Sequence, residues 1–491
     1  MQFLQRGASE LESLLGRRTA GFALLGLVAV LYTVAYVNHP LLPRMNPLLE
    51  RDGWWTWFDQ FTYWQAAAEM TQYRLTAERY YYPLGYPLLG AVGWKLTPAH
   101  PFFWANLVFV VATVWVGWRL WRLWLNRVAC LVLGVVFVGL HASLLSLTSV
   151  VPWNTIPTQF TLLAGIWVLM TMTGGRGVGW LAGLAAVTYV VRPGDAVCFA
   201  PMLVWSVMRL ETWRERITWG VKGIGLIAAA VVAIGLVNLA IFGSWSSRYE
   251  QVSMEAVGFF SYPVAMKWFG LLVDGSAFYG EEGTAMLFRY PWLMLAIPGM
   301  VWWVKQGGAN AIAALLTLVM SWGIYGSYND FVPSGLFRYS LIHYLTWCFP
   351  LLFGLAVAGL WRGWRERPVQ IALVGVGWLA LFITGLQLKE RVLPAEVLPG
   401  VVQSLPSAHP LWVKFPGEPL TRAGALQLDG RGLQESRDYH IPYVPADLRL
   451  LLGSPAQGTQ LVLSGSEATP QVGDFVWGWR WEPARWWPPR D

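Results

Sequence analysis

The run PFFWANLVFVVATVWVGW (residues 101–118) is followed by RLWRLWLNR (119–127) and then VACLVLGVVFVGLHASLLSL (128–147). A helix needs roughly 20 apolar residues to cross a bilayer core, and each flanking run supplies about that many. Between them stand Arg119, Arg122 and Arg127. Lys and Arg collect in cytoplasmic connections. The segment therefore reads as a transmembrane hairpin whose basic turn faces inward.

Outward from this hairpin the pattern repeats. Eleven apolar runs are expected to span: about 20–38, 101–118, 128–147, 158–173, 177–191, 196–208, 219–241, 290–304, 309–325, 339–360 and 369–387. With the N-terminus inside, the inner connections hold Arg6, Arg17 and Arg18; Arg119, Arg122 and Arg127; Arg176; Arg209, Arg214, Arg216 and Lys222; Lys305; and Arg362, Arg365 and Arg367. Every inner connection is basic, and the outer ones are longer and mixed in sign. This predicts a multi-pass protein of the cell inner (plasma) membrane, N-terminus cytoplasmic and C-terminal region outside. The first apolar run has no small-residue cleavage site and is expected to stay as a helix.

Composition agrees. Hydrophobic residues make up 55% of 491 and charged residues only 13%, against roughly a quarter in soluble proteins. A net charge of +7 is accounted for by topology, and no nucleic-acid motif accompanies it. The 32 Trp include Trp115, Trp118, Trp121, Trp302, Trp303, Trp361 and Trp364 near the ends of apolar runs, which reads as interfacial belts. A few loop Trp are candidates for stacking on sugars. Cys130, Cys198 and Cys348 fall in apolar stretches without metal-ligand spacing and read as core residues.

Two outer loops are long, 39–100 and 242–289. The first carries an amphipathic stretch at 54–73 of the kind that lies in the membrane plane. The tail from about 388 is rich in Pro and Gly with short alternating runs such as 460–463 and 475–481, which predicts a small outer domain with strands. The fold class is thus an all-α polytopic membrane protein of about 11 spans, residues 1–387, with in-plane helices in the first outer loop, followed by a strand-containing extracytoplasmic domain, 388–491.

The strongest local signal is Asp59-Gln60-Phe61-Thr62-Tyr63-Trp64-Gln65-Ala66-Ala67, then Tyr81-Tyr82-Pro83-Leu84-Gly85-Tyr86-Pro87-Leu88-Leu89. Four residues apart, Asp59 and Tyr63 share one helical face. The Pro-Leu-Gly-Tyr-Pro segment is expected to break any helix and turn the chain toward the second span.

An Asp shortly before a Tyr and an Ala-rich helix, then a Tyr-Pro-rich turn, resembles the first outer loop of GT-C glycosyltransferases. The likeness is to the protein O-mannosyltransferase and lipid A aminoarabinose transferase branch, and it extends through topology to about 390 residues. Where that branch has an Asp-Glu pair, this chain has Asp59-Gln60. The resemblance implies a polyprenyl-phosphate-sugar donor and transfer on the outer face to a glycan, lipid or protein hydroxyl. Besides donor and acceptor, only membrane lipids are expected as partners.

Polyprenyl phosphate leaves readily, so the chemistry needs a base for the incoming hydroxyl and cations where the phosphate gains charge. Asp59 is the candidate base, with Asp52 in Arg51-Asp52-Gly53 as its rival. Either could instead cap or solvate a helix or turn. Tyr63, Tyr82 and Tyr86 are candidate substrate contacts. The candidate phosphate ligands are Arg338, in Phe337-Arg338-Tyr339-Ser340, and Arg192, in Val191-Arg192-Pro193-Gly194-Asp195. Arginine bonds phosphate in bidentate fashion, though Arg192 could simply pair with Asp195. Tyr339 accompanies Arg338, and His343 shares its face or sits in the core. Asp274 and Glu281-Glu282 offer carboxylates, but a divalent cation is not indicated and no cofactor is expected. The absence of a phosphate-cradling Gly-rich loop disfavours a nucleotide donor. A single displacement would invert the anomeric centre. The competing readings are a transporter or flippase of a lipid-linked intermediate, and a non-catalytic scaffold.

Overall fold

The first apolar run forms helix α1 (Thr19–Val37), and the described part of the segment expected as the first outer loop carries further helices. A 3-10 turn (Gly53–Thr56) leads into α2 (Phe58–Thr71), and α3 (Gly85–Trp94) follows. The computed structural model describes residues 19–43, 52–279, 285–331, 341–384, 386–403, 405, 412–442, 447–454 and 458–479. Arg338, Tyr339 and Glu281-Glu282 lie outside these described residues.

The helices continue as α4 (Phe103–Trp121), α5 (Arg127–Leu140), α6 (Thr155–Thr171), α7 (Gly174–Val191), α8 (Ala200–Met208), α9 (Trp213–Phe242), α10 (Val264–Leu272), α11 (Trp292–Ser327), α12 (Phe349–Glu366) and α13 (Pro368–Thr384). Their ends follow local chemistry. Thr212 and Glu215 form a reciprocal capping box at the start of α9, and Gly243 closes it at φ 67°, a left-handed conformation that costs glycine little. Asn126 accepts from the Ala129 amide to start α5.

By length and composition, α4, α9 and α11 are able to cross a membrane. A fourth span exists if α5 and the following segment Ala142–Val150, bent by 75°, count as one broken crossing. The eleven expected spans are therefore not all present as long uninterrupted helices. The 17-residue α6 is about 26 Å long, short of a core of roughly 30 Å. The run expected at 196–208 is divided into Pro193–Ala196, a 3-10 turn and α8. The runs at 290–304 and 309–325 fall on the two helical halves of α11, which meet at a kink at Gly308 (φ 54°, ψ −137°) between the two expected spans. The run expected from 339 forms two 3-10 turns, Leu341–Tyr344 and Thr346–Cys348, before α12 begins.

The Trp residues expected as belts divide into exposed and buried ones. Trp121 and Trp303 are fully buried, as are Trp54, Trp55 and Trp64 of the first loop, while Trp361 is exposed. The Trp121 indole donates to the Pro350 carbonyl at 2.7 Å, so it joins helix to helix rather than water to lipid. Each aromatic side chain buried in this way contributes about 1.5–3 kcal/mol.

The chain divides into two compact units. One holds Met1–Gln251, Ala296–Ser321 and His343–Trp361; the other holds Val252–Leu295, Trp322–Ile342 and Arg362–Asp491. In the second unit, α13 ends at Thr384 and strand β1 (Leu386–Val392) begins. The strands that follow are β2 (Glu396–Leu398), β3 (Val401–Gln403), β4 (Trp412–Phe415), β5 (Leu426–Leu428), β6 (Arg431–Gly432), β7 (Tyr439–His440), β8 (Leu448–Leu452), β9 (Gln460–Leu463) and β10 (Gln471–Trp479).

They form two antiparallel sheets, ordered β1-β10-β4-β8-β7 and β2-β3-β9-β5-β6. Alternation assigns the faces. Val413, Phe415, Leu448, Leu450 and Val472 of the first sheet pack with Val402, Leu426, Leu428, Leu461 and Leu463 of the second. The opposite face of the first sheet, with Leu388, Trp412, Leu451 and Phe475, packs on Met266 and Phe269 of α10 and on Phe278. Both faces of β8 are thus covered, which explains a strand with every residue buried. Asp274 is structural here. It accepts from the Ser276 amide at 3.0 Å and the Leu388 amide at 3.2 Å.

Candidate active site

Everything below belongs to the first unit. Asp59 is in the first turn of α2, where a carboxylate suits the positive end of the helix dipole. Tyr63 follows one turn later on the same face and is buried. The neighbour Gln60 is fully buried, and its amide donates to the Pro152 carbonyl at 3.0 Å. A glutamate there would bring an acceptor to an acceptor, which gives the Gln a physical reason.

The Pro-Leu-Gly-Tyr-Pro segment does not end a helix, as the sequence suggests. It begins α3, with Pro87 in the first turn, where the missing amide would have had no partner anyway. Gly85 makes this possible. A Cβ there would lie 2.8 Å from the Val190 carbonyl oxygen at the end of α7. The start of α3 and the end of α7 are thus in backbone contact, and Tyr82 and Arg192 flank that contact.

The Tyr82 hydroxyl donates a short hydrogen bond to Asp59 Oδ1. The Tyr63 ring lies 4.5 Å from that of Tyr82 and 5.0 Å from that of Tyr86. Asp59 keeps part of its surface open, but dense protein surrounds the carboxyl. Burial pushes its pKa above the ordinary carboxylate value, while the Tyr82 hydrogen bond and the Arg192 charge pull it down without cancelling the effect. Burial also holds the Tyr63 and Tyr82 phenols well above their usual values, so both keep their protons.

Arg192 caps the end of α7 and is buried. Its Nε is 3.8 Å from Asp195 Oδ2, and its guanidinium lies 4.4 Å from the centre of the Tyr344 ring. Beside this local pair, the cation also acts on Asp59 and Tyr63. His343 is buried and stacks on Trp153 at 4.2 Å, a packed position in the core. Tyr86 is fully buried, donates to Asn106 Oδ1 at 2.9 Å and stacks on Phe102. Its hydroxyl and ring are thus both engaged in packing beside Tyr63.

Asp52 stands apart. It precedes the 3-10 turn, and its charge acts on His100, whose Nδ1 is 3.2 Å from the Tyr36 hydroxyl. The sequence reading did not single out Tyr249 or Tyr344. Tyr249, from the loop after α9, lies 5.0 Å from Tyr82 ring to ring, and its amide donates to the Tyr81 carbonyl at 3.2 Å. The only sequence signal for it was the aromatic character of that loop.

An apolar cavity of about 310 Å³ opens among α1, α4, α5, α6 and the π-helical turn Ser146–Val150. Tyr32, Val150 and Ile156 line it and also belong to the aromatic cluster that contains Tyr63, Tyr82 and Tyr86. Among the described residues, no group of three or more His, Cys, Asp or Glu is placed to hold a metal. No family model matches this chain, and no curated protein or solved structure matches it either.

Proposed function

We propose that the protein is a GT-C-type membrane glycosyltransferase that moves a sugar from polyprenyl phosphate to an acceptor hydroxyl on the outer face of the inner membrane. The observation that carries this reading is the Asp59 carboxyl, surrounded by protein, hydrogen-bonded by Tyr82 and under the charge of Arg192. Eleven crossings, with a cytoplasmic N-terminus and an extracytoplasmic tail, belong to the same proposal.

The chemistry follows from the residue types. A carboxylate whose pKa is raised toward the working pH is a stronger base. Asp59 takes the proton of the acceptor hydroxyl as that oxygen attacks the anomeric carbon. The bond from this carbon to the phosphate oxygen breaks, and its electron pair leaves with polyprenyl phosphate. One displacement inverts the centre. The fixed charge of Arg192 favours the developing phosphate negative charge. The apolar cavity that shares Tyr32, Val150 and Ile156 with the aromatic cluster suits the chain of a lipid-linked donor.

The test is Asp59→Asn in the purified full-length protein, supplied with polyprenyl-phosphate sugars. Turnover is expected to fall by about 10²- to 10⁴-fold, the range for removal of a general base. Near-normal turnover would exclude Asp59 as the base. Loss with Asp52→Asn instead would transfer the role to that residue.

A further inference from the structure

The aromatic residues around Asp59 form two layers. Tyr63, Tyr82 and Tyr86 are buried, whereas Tyr81 and Tyr249 are half-buried and Phe58 is 65% exposed. The outer three touch in series. Phe58 meets Tyr81 edge-on at 5.4 Å, and Tyr81 meets Tyr249 at 6.1 Å. Tyr249 in turn packs on Tyr82, the residue that bonds Asp59. Tyr81 and Tyr249 pack on the inner layer from outside and keep part of their surface open, and Phe58 extends the row to solvent. Next to Tyr249 stands Arg248, exposed, with its charge acting on Tyr81. It has no ion-pair partner among the described residues.

We propose that Arg248 and Tyr249 read the donor headgroup at the mouth of this site, Arg248 bonding the phosphate and Tyr249, with Tyr81, stacking on the transferred sugar. This rests on the glycosyltransferase reading and names the residues that would select its donor. The C–H bonds on one face of a pyranose carry partial positive charge, and an aromatic face carries the complementary negative charge. An exposed guanidinium beside that platform supplies the fork geometry that phosphate oxygens take. Arg192 is buried against Asp195 and Tyr344, whereas Arg248 is exposed at the rim. The loop after α9 thereby contributes to a site otherwise built from the first outer loop and the end of α7.

The experiment measures binding of two lipids to the full-length protein in detergent. One is bare polyprenyl phosphate; the other is polyprenyl phosphate carrying mannose, glucose or arabinose, tried in turn. Tyr249→Ala is expected to weaken the sugar-charged lipid by about 2- to 10-fold and leave the bare lipid unchanged. Tyr249→Phe, which keeps the ring, is expected to bind both normally. Arg248→Gln is expected to weaken both lipids about tenfold. Equal loss of both lipids in Tyr249→Ala would make the ring merely structural and overturn the proposal. Unchanged binding of sugar-charged lipid in Tyr249→Ala, or of both lipids in Arg248→Gln, would also overturn it. If the wild-type protein binds none of the lipids, the glycosyltransferase reading itself fails, and this proposal fails with it.

Discussion

At the scale of single residues, Asp59 is held between opposing effects. Burial favours its neutral form, while Tyr82 and Arg192 favour the carboxylate. A base works only when deprotonated, so activity should fall as pH drops through the folded pKa, which lies above the ordinary value. Tyr82→Phe removes a hydrogen bond that stabilises the charged form. The pKa of Asp59 must then rise further, and the acid limb of kcat/KM against pH should move to higher pH. A limb that stays in place would mean that Tyr82 does not act on the titrating group. The same shift makes Asp59 unfavourable to the fold at neutral pH. Its contribution to stability is full below the unfolded pKa and is lost as pH rises through the folded one.

At the scale of elements, periodicity carried the sequence reading a long way. The amphipathic stretch expected at 54–73 contains α2 with Asp59 and Tyr63 on one face, and the alternating runs expected at 460–463 and 475–481 fall on β9 and on the end of β10. The start of α3 did not follow from local pattern, because a proline reads as a breaker unless it is known to occupy a first turn. Two effects of opposite sign meet at Gly85 in that turn. Alanine gains about 1 kcal/mol of helix propensity over glycine. The new Cβ would stand 2.8 Å from the Val190 oxygen and from Val191, and overpacking of this kind costs about 1–3 kcal/mol. Backbone cannot swing aside as a side chain can, so the clash should win. Gly85→Ala is expected to lower the melting temperature in detergent and to reduce turnover as Tyr82 and Arg192 move apart. A variant more stable than wild type would mean that α3 and α7 do not approach so closely.

At the scale of the whole molecule, the sequence and the helices suggest different topologies, and the difference is countable. Charge alternation reads eleven crossings, whereas length and composition single out α4, α9 and α11, with the bent pair after α4 as a fourth. What the sequence could not show is that a single apolar run is broken, as in the bent pair, because tertiary packing decides that. Nor could it place Tyr249 beside Tyr82, since that contact joins segments far apart in the chain. Labelling with a membrane-impermeant maleimide separates the two counts. Cys130, Cys198 and Cys348 are buried, so a single introduced thiol should dominate. Tyr73 is 93% exposed, and Leu123, Glu211 and Glu467 are exposed as well. In the eleven-span arrangement, Tyr73→Cys and Glu467→Cys label in intact cells, while Leu123→Cys and Glu211→Cys label only after permeabilisation. Between Glu211 and Glu467 this arrangement places five crossings, an odd number, so the two must lie on opposite sides. If α9 and α11 each cross once and nothing else does, the number is even and both label from the same side. Opposite labelling would thus support the outward tail and matching labelling would overturn it, while failure of Tyr73→Cys to label in intact cells would overturn an outward-facing Asp59.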